Sequence, residues 1–245
     1  MTISRRQCLN QLLQWQVALA ASGSLAASSL ALAQSAWPSK ALKLVVPFTP
    51  GGTTDYVTRL VGIELAKQMG QPVIVENKPG AGTVIGVDAV AKSAADGYSF
   101  VTVANSFAAN QTLVKKLPYD TLKDLRPVAL MGMSEHVLAT HPGSGLKKLS
   151  DLKALSAAAA DKISYASFGN GTSAHLSGAA LAQQMGMNWV HVPYKGQAPA
   201  LSDLLGGQVT LMFGNWPEFR SHVQSGKLVA LGMATSKRSL YAPDI

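Results

Sequence analysis

The chain has 245 residues, of which 47% are apolar and 14% charged, with a net charge of +8. Domains usually run about 100–200 residues, so this length covers one large domain or two modest ones, and the apolar share excludes a disordered chain. Lys and Arg are scattered along the sequence rather than massed in a stripe with aromatics, which excludes a nucleic-acid surface; a modest positive field favours a small anion instead.

Residues 1–33 read as an export signal. Arg5 and Arg6 open it, no acid precedes Asp55, and "LLQWQVALAASGSLAASSLALA" closes on Ala31-Leu32-Ala33. A charged start, an apolar middle and small residues before a cut site are what a signal peptidase requires. A membrane anchor needs about 20 predominantly apolar residues, without the Gln, Ser and Gly that interrupt this one. "SRRQCL" resembles a twin-arginine signal, with Cys8 where that pattern usually has an aromatic residue, so the Sec and twin-arginine routes both stay open. The expected location is the periplasm. Cys8 is the single cysteine, so the mature chain has neither disulfide nor thiol chemistry. The sequon matches at Asn110 and Asn170 are ordinary loop residues in a chain with a bacterial signal.

The first lobe is expected over 34–135. "ALKLVVPF" suits a strand buried on both faces, "TPGGTTD" a loop, and "YVTRLVGIELAKQMG" a helix with Val57, Leu60, Val61, Leu65 and Met69 at helical spacing. Asp55 or Thr54 is the predicted cap and Gly70 the stop. "QPVIVE" and "DGYSFVTVANS" are further strands, the second ending at Ser106. "KKLPYDTLKDLRPVALM" reads as a Pro-marked connection into another strand, and "EHVLATHPGSG" as a crossing into the second lobe.

The second lobe, 136–226, repeats the plan. "KISYAS" is the strand, "FGNGTS" the loop, "AHLSGAALAQQMG" the helix and "NWVHVPY" the next strand; "LAKQMG" and "LAQQMG" end the two helices alike. "LSDLLGGQVTLMFGN" gives a helix, a Gly-Gly stop and a strand, and "GKLVALGMAT" a last strand within 227–245, read as a crossover back toward the first lobe. The fold class is therefore α/β, with one strand–loop–helix–strand unit per lobe.

A loop from the carboxyl end of a parallel strand into a helix presents unpaired amides at the positive end of the helix dipole. Thr49–Asp55 and Phe168–Ser173 are two such loops, and across a cleft they can grip both ends of a dicarboxylate; either alone is equally well a simple connector. Asp55 faces an anion unfavourably and is read as a cap. Gly169, Gly171 and Ala174 fit the dinucleotide fingerprint, but Tyr194 and Lys195 stand where its acid belongs. No Walker lysine and no G-x-S-x-G elbow accompany either loop. The five histidines show no metal-ligand spacing, so neither metal nor cofactor is expected. Ser173 and His175, two apart at a helix start, point to different faces, and His175 is read as a capping or cleft-wall residue. Tyr194 and Lys195 end a strand at the same cleft edge, where Lys195 either attracts an anion or is simply solvated. Asn215 is placed to hydrogen-bond a ligand, and Trp216 and Phe219 are read as packing.

Long stretches in order, from "WPSKALKLVVPFTPGGTTD" through "QPVIVENKPGAGTVIGVDAVAKSAADGYSF", "ISYASFGNGTSAH" and "HVPYKGQAPALSDLLGGQV" to "GKLVALGMATSKRSLYAPDI", resemble the Bug family, the extracytoplasmic solute receptors of tripartite tricarboxylate transporters. The resemblance implies a two-lobed periplasmic-binding-protein fold of type II, each lobe a mostly parallel sheet flanked by helices, which closes over a small carboxylate without catalysis. It implies a carboxylate pincer made of Phe48, Thr49, Pro50, Gly51, Gly52, Thr53, Thr54 and Asp55 on one side. Phe168, Gly169, Asn170, Gly171, Thr172, Ser173 and His175 make the other side, with Ser106, Tyr194, Lys195 and Asn215 added to the set.

Three departures stand out. Gly214 replaces the acid of a usual "MFDN", which disfavours an amino-acid ligand and favours a di- or tricarboxylate or an aromatic acid. "AGTVIG" replaces "AGGNIG". Family members continue past "APDI" with elements that complete the first lobe, so the resemblance implies an incomplete first lobe and poor stability. The expected function is a monomeric periplasmic receptor that delivers a small organic anion to the transporter's membrane subunits. A periplasmic sensor feeding a signalling receptor is the alternative, and a hydrolase using Ser173 and His175 the third reading.

Overall fold

The computed structural model describes residues 37–159 and 163–245; the export-signal reading, with Arg5, Arg6 and Cys8, lies outside the described residues. The chain divides into Met1–Lys40 and Ala41–Ile245. Within the former, the Trp37–Pro38 peptide is cis. The latter holds both sheets.

Strand β1 (Leu42–Val46) buries every residue except Lys43, the pattern of a strand covered on both faces. It lies between β2 (Val73–Asn77) and β3 (Ser99–Val101), parallel to both, in the order β2-β1-β3. Helix α1 (Thr53–Met69) carries β1 over to β2 and stops at Gly70, whose amide returns to the Ala66 carbonyl. Its N-cap is Gly52, with no side-chain cap bond, so neither Asp55 nor Thr54 caps it as expected. The helix turns Asp55, Thr58 and Gly62 inward, not the apolar stripe that announces it in the sequence. Gly62 brings the backbone onto the sheet, where a Cβ would stand 3.3 Å from Val73. Leu60, Val61 and Leu65 border an outward-facing cavity of about 330 Å³. Helices α2 (Val84–Ala91) and α3 (Ser106–Leu113) follow, α2 packing on β1 and β3.

The second sheet has five strands: β4 (His136–Thr140), β5 (Ser164–Ser167), β6 (Val190–Pro193), β7 (Leu211–Asn215) and β8 (Val229–Met233). Their order is β6-β5-β7-β4-β8, with β5 parallel to both neighbours and β4 antiparallel to both of its own. This sheet is thus mixed. Helices α4 (Asp151–Ala159), α5 (Ser173–Gln184), α6 (Gln197–Leu205) and α7 (Trp216–Gln224) complete the element order. Trp216 and Phe219 are buried in the core, as the packing reading expected.

Three expectations are corrected. "EHVLAT" is not a crossing but β4, an inner strand whose Val137 to Thr140 are all buried; with both faces covered, it shows no alternation to reveal it. The strand expected at "PVALM" is absent: Val128 and Leu130 are about four-fifths exposed, with no neighbouring strand among the described residues to pair with them. Val229–Met233 lie in the second sheet against β4 rather than crossing toward the first, because β4 still has an unpaired edge there.

Helix α5 sits on its sheet through Ala174, Gly178 and Ala182, spaced by one turn. A Cβ at Gly178 would fall 2.3 Å from the Tyr165 ring, which cannot retreat because it stacks on His191 at 4.9 Å and meets Trp189 edge-on at 6.1 Å. Ala is favoured over Gly in a helix by about 1 kcal/mol, while overpacking costs about 1–3 kcal/mol. The clash outweighs the propensity: Gly178→Ala is expected to destabilise by about 1–2 kcal/mol, read as a lower urea midpoint at unchanged m-value.

Candidate functional site

The loop from β1 into α1 is held from below by acid and amide side chains. Asp55 Oδ2 accepts the Gly51 amide at 3.0 Å, and Oδ1 accepts Asn77 Nδ2 at 2.9 Å and pairs with Arg59 at 2.9 Å. Asn77 also donates to the Phe48 carbonyl at 3.1 Å. Burial pushes the Asp55 pKa up, yet Arg59, the Gly51 amide and Asn77 together hold it below the ordinary carboxylate value. Asp55 therefore shapes the loop from within.

The same loop meets the second sheet. The Thr49 amide donates to the Lys195 carbonyl at 3.3 Å. Gly196 passes so close that a Cβ there would lie 2.0 Å from Thr49 Oγ1. That hydroxyl is buried and has no hydrogen-bond partner among the described residues. At the start of α1, the Thr53 amide donates to Glu218 of α7, and the Thr53 hydroxyl does so at 2.7 Å. Gln197 of α6 donates to the same carboxylate at 2.6 Å and accepts the Asn215 amide and side chain at 3.1 and 2.8 Å. Burial raises the Glu218 pKa, and its donors offset this only in part.

The second loop is held by neutral groups. Ser167 Oγ accepts the Gly169 amide at 3.2 Å and shares a 2.7 Å bond with His191 Nε2. Thr172 Oγ1 donates to the Gly169 carbonyl at 2.6 Å. The Gly171 amide donates to His175 Nδ1 at 3.1 Å, which places the His175 proton on Nε2. His175 stacks on His191 at 4.2 Å, and Ser173 Oγ meets His136 Nε2 at 3.2 Å. Gly171 has φ of +76°, a conformation suited to glycine, and a Cβ there would stand 3.1 Å from Asn110 and Leu113 of the first lobe. Phe48 and Phe168, one from each loop, meet edge to face at 6.2 Å.

The structure thus brings Phe48, Thr49 and Thr53 against the second lobe, at Phe168, Lys195 and Glu218, and the second loop against the first lobe, at Phe48 and at Asn110 and Leu113 of α3. Pro50 and Gly51 lie exposed at the loop's tip, Gly52 is buried, and the Thr54 carbonyl accepts the Thr58 hydroxyl at 2.7 Å. Other expected site residues face elsewhere. Tyr194 gives its hydroxyl to Asp203 at 2.6 Å, and burial followed by that carboxylate pushes its pKa up to about 12. The Lys195 side chain is exposed, and only its carbonyl serves the cleft. Ser106 is fully buried and bonded to Thr83 at 3.2 Å. Sequence reasoning missed Asn77, His136, Gln197 and Glu218. The acid in "NWPEF" follows an Asn-x-Pro helix start and signals only a favourable first-turn charge.

Ser173 and His136 have the spacing of a nucleophile and base, but the nearby amides of Gly169 and Gly171 are spent on Ser167 and His175 rather than aimed at an oxyanion. His175, the partner expected in the hydrolase reading, faces Gly171 and His191 instead. Among the described residues no group of His, Cys, Asp or Glu is placed to hold a metal, and no helix is long and apolar enough to cross a membrane.

The model of the tripartite tricarboxylate transporter family receptor matches residues 57–245. The chain belongs to this receptor family. Protein BugT of Bordetella pertussis is 39% identical over 211 residues, covering 85% of this chain and 65% of BugT. The chain therefore spans less than two thirds of that relative. Two solved structures superpose on the fold: the periplasmic binding protein BugD, with 35% identity and a TM-score of 0.77 over 85% of this chain and 70% of BugD, and MatC from Rhodopseudomonas palustris with bound malate, with 32% identity and a TM-score of 0.80 over 85% and 71%. The fold is that of the periplasmic binding proteins, and the family is one of receptors rather than enzymes. At Gly214 the ring of Phe219 fills the space a side chain would take, with a Cβ 2.1 Å from it, so glycine there is a packing requirement.

Burial depresses the pKa of His136, opposed by Asn215, and that of His175; burial and then the charge of His175 lower His191 to about 4. All three are neutral in the fold at pH 7. Their unfolded value is about 6.5, so below it the unfolded chain binds the extra protons. Stability is full above pH 6.5 and falls with pH until the folded value near 4 is passed. Urea midpoints between pH 8 and pH 4 are expected to fall along this window, and His191→Gln to flatten part of the slope; an unchanged profile in that variant refutes the assignment.

Proposed function

We propose that this chain is a periplasmic receptor that holds a small di- or tricarboxylate between its two glycine-bearing loops and passes it to the membrane subunits of a tripartite tricarboxylate transporter. The observation that carries the reading is the apposition of the loops: each leads from a parallel strand into a helix, and Phe48 and Phe168 bring them into ring contact at 6.2 Å. Malate in the similar protein MatC supports the ligand class. The donors offered are small and neutral. Thr49 Oγ1 is buried without a partner among the described residues, and Thr53 and Ser173 hold exchangeable hydroxyl bonds. Such donors suit a carboxylate without fixing it by a countercharge. Gly214 is a packing position under the Phe219 ring, so the preference for a plain or aromatic acid over an amino acid rests on the family resemblance alone. The Arg5–Ala33 stretch and the resemblance to BugD support a periplasmic location; that the receptor acts as a monomer is part of the same proposal.

Calorimetric titration with malate, citrate, adipate, benzoate and glutamate tests this. At least one of the first four acids is expected to bind at micromolar Kd, on the order of −8 kcal/mol, and glutamate more weakly. Gly171→Val, strained in φ and crowded by Asn110 and Leu113, is expected to lose about tenfold or more in affinity, about 1.4 kcal/mol. No heat with any acid refutes the carboxylate reading, and unchanged affinity in the variant removes the second loop from the site.

A further inference from the structure

We propose that Glu218 is a built-in anion: its carboxylate occupies the amino end of α1 in the ligand-free protein and is set aside when a ligand carboxylate arrives. The inference rests on the clamp reading above and adds a regulation of that site.

The position is the one an external anion would take, because the first turn of α1 has unpaired amides and the positive end of the dipole. Glu218 fills it from the other lobe, accepting the amide and hydroxyl of Thr53 while Gln197 steadies its second oxygen. Three donors fill most of a carboxylate's roughly four acceptor sites, and because each is already spent on Glu218 none is left for a second anion. Asp55 already takes the Gly51 amide beneath, so a third carboxylate would enter a site that holds two.

The side chain also has somewhere to go. A cavity of about 440 Å³ lies between α6 and α7, bordered by Gly51, Leu201, Ser202, Ser221, His222 and Glu218 itself. His222 stands one turn beyond Glu218 on α7, an i, i+4 neighbour that can take the displaced carboxylate. Glu218 therefore has one set of partners across the lobes and, on displacement, would find another along its own helix, and a ligand biases the choice only by taking the first set.

The cost of the arrangement is affinity. A ligand binding only when Glu218 has left sees its affinity reduced by the fraction of molecules in which it has. Glu218→Ala is expected to bind malate about tenfold more tightly than the native chain, and its Thr53 amide to lose protection from hydrogen exchange in the ligand-free state. Affinity that falls in a folded variant marks Glu218 as an ordinary support of the closed form and overturns the proposal, as does unchanged Thr53 protection. If the variant does not fold, the native protein decides: with labelled glutamate, the Glu218 carboxyl resonance is expected to move on saturation with malate, and a static resonance overturns the proposal. If no acid in the panel binds, the clamp reading fails by itself, and Thr53 protection alone decides whether Glu218 holds α1.

Discussion

A helix that starts between two sheets carries its first amides into a place that water reaches poorly, and everything around the cleft depends on how those amides are satisfied. An unpaired buried amide costs about 1–3 kcal/mol, so the first turn of α1 needs acceptors. The chain provides two carboxylates. Asp55, from the helix itself, takes the amide of Gly51 in the exposed loop before the N-cap and fixes that loop's curve with Arg59 and Asn77; Glu218, from α7, takes the first-turn amide of Thr53. The first acceptor is local and makes the loop rigid. The second comes from another lobe, so the satisfaction of α1 and the closeness of the two lobes become one condition.

The second loop meets the same demand with different chemistry. Its amides go to Ser167 and to a neutral His175, and its carbonyl at Gly169 takes the Thr172 hydroxyl. A protonated His175 could not accept from Gly171, and two charged rings stacked at 4.2 Å would repel, so burial of the pair and the shape of the loop support each other. One loop is thus sustained by ionised acids and the other by neutral rings and hydroxyls. An arriving anion meets no carboxylate in the bonding network of the second loop, whereas in the first it meets two.

The sequence exposes the local half of this arrangement and hides the other half. Glycine-rich turns after apolar strands, with helical spacing beyond them, place both loops correctly, because those signals lie within a few residues of the feature they cause. The same reasoning misses β4, since burial on both faces removes the alternation that marks a strand, and it misreads "PVALM", whose apolar residues find no neighbouring strand among the described residues. It takes the Leu60–Leu65 stripe as the mark of α1 but gives no hint that Gly62 and Thr58 form the inner face. Glu218, Gln197 and His136 were not legible as site residues because each acts on a group far away in sequence: Thr53 is 165 residues from Glu218, and His136 is 37 from Ser173. Tyr194 and Ser106 illustrate the reverse error. Tyr194 does follow a strand, but its side chain turns to Asp203; Ser106, expected to end a strand, instead opens α3 five residues after β3 stops at Val101, and its hydroxyl turns to Thr83.

The polar contacts alone do not hold the lobes together. Val46 and Phe48 of the first lobe belong to the same buried cluster as Tyr165, Phe168, Met212 and Phe219 of the second, so parting the loops exposes apolar surface at about 25 cal/mol per Å². The Phe48–Phe168 pair adds about 0.5–1.5 kcal/mol through its edge-to-face geometry. Such contacts favour closeness without fixing a register, because they are non-directional. The directional bonds at Thr53, at Thr49 to Lys195, and the close approach of Gly196 supply the register. Apolar contact therefore sets how strongly the lobes adhere and the hydrogen bonds set where, and a carboxylate that replaces one acceptor for another changes the second while leaving the first almost untouched.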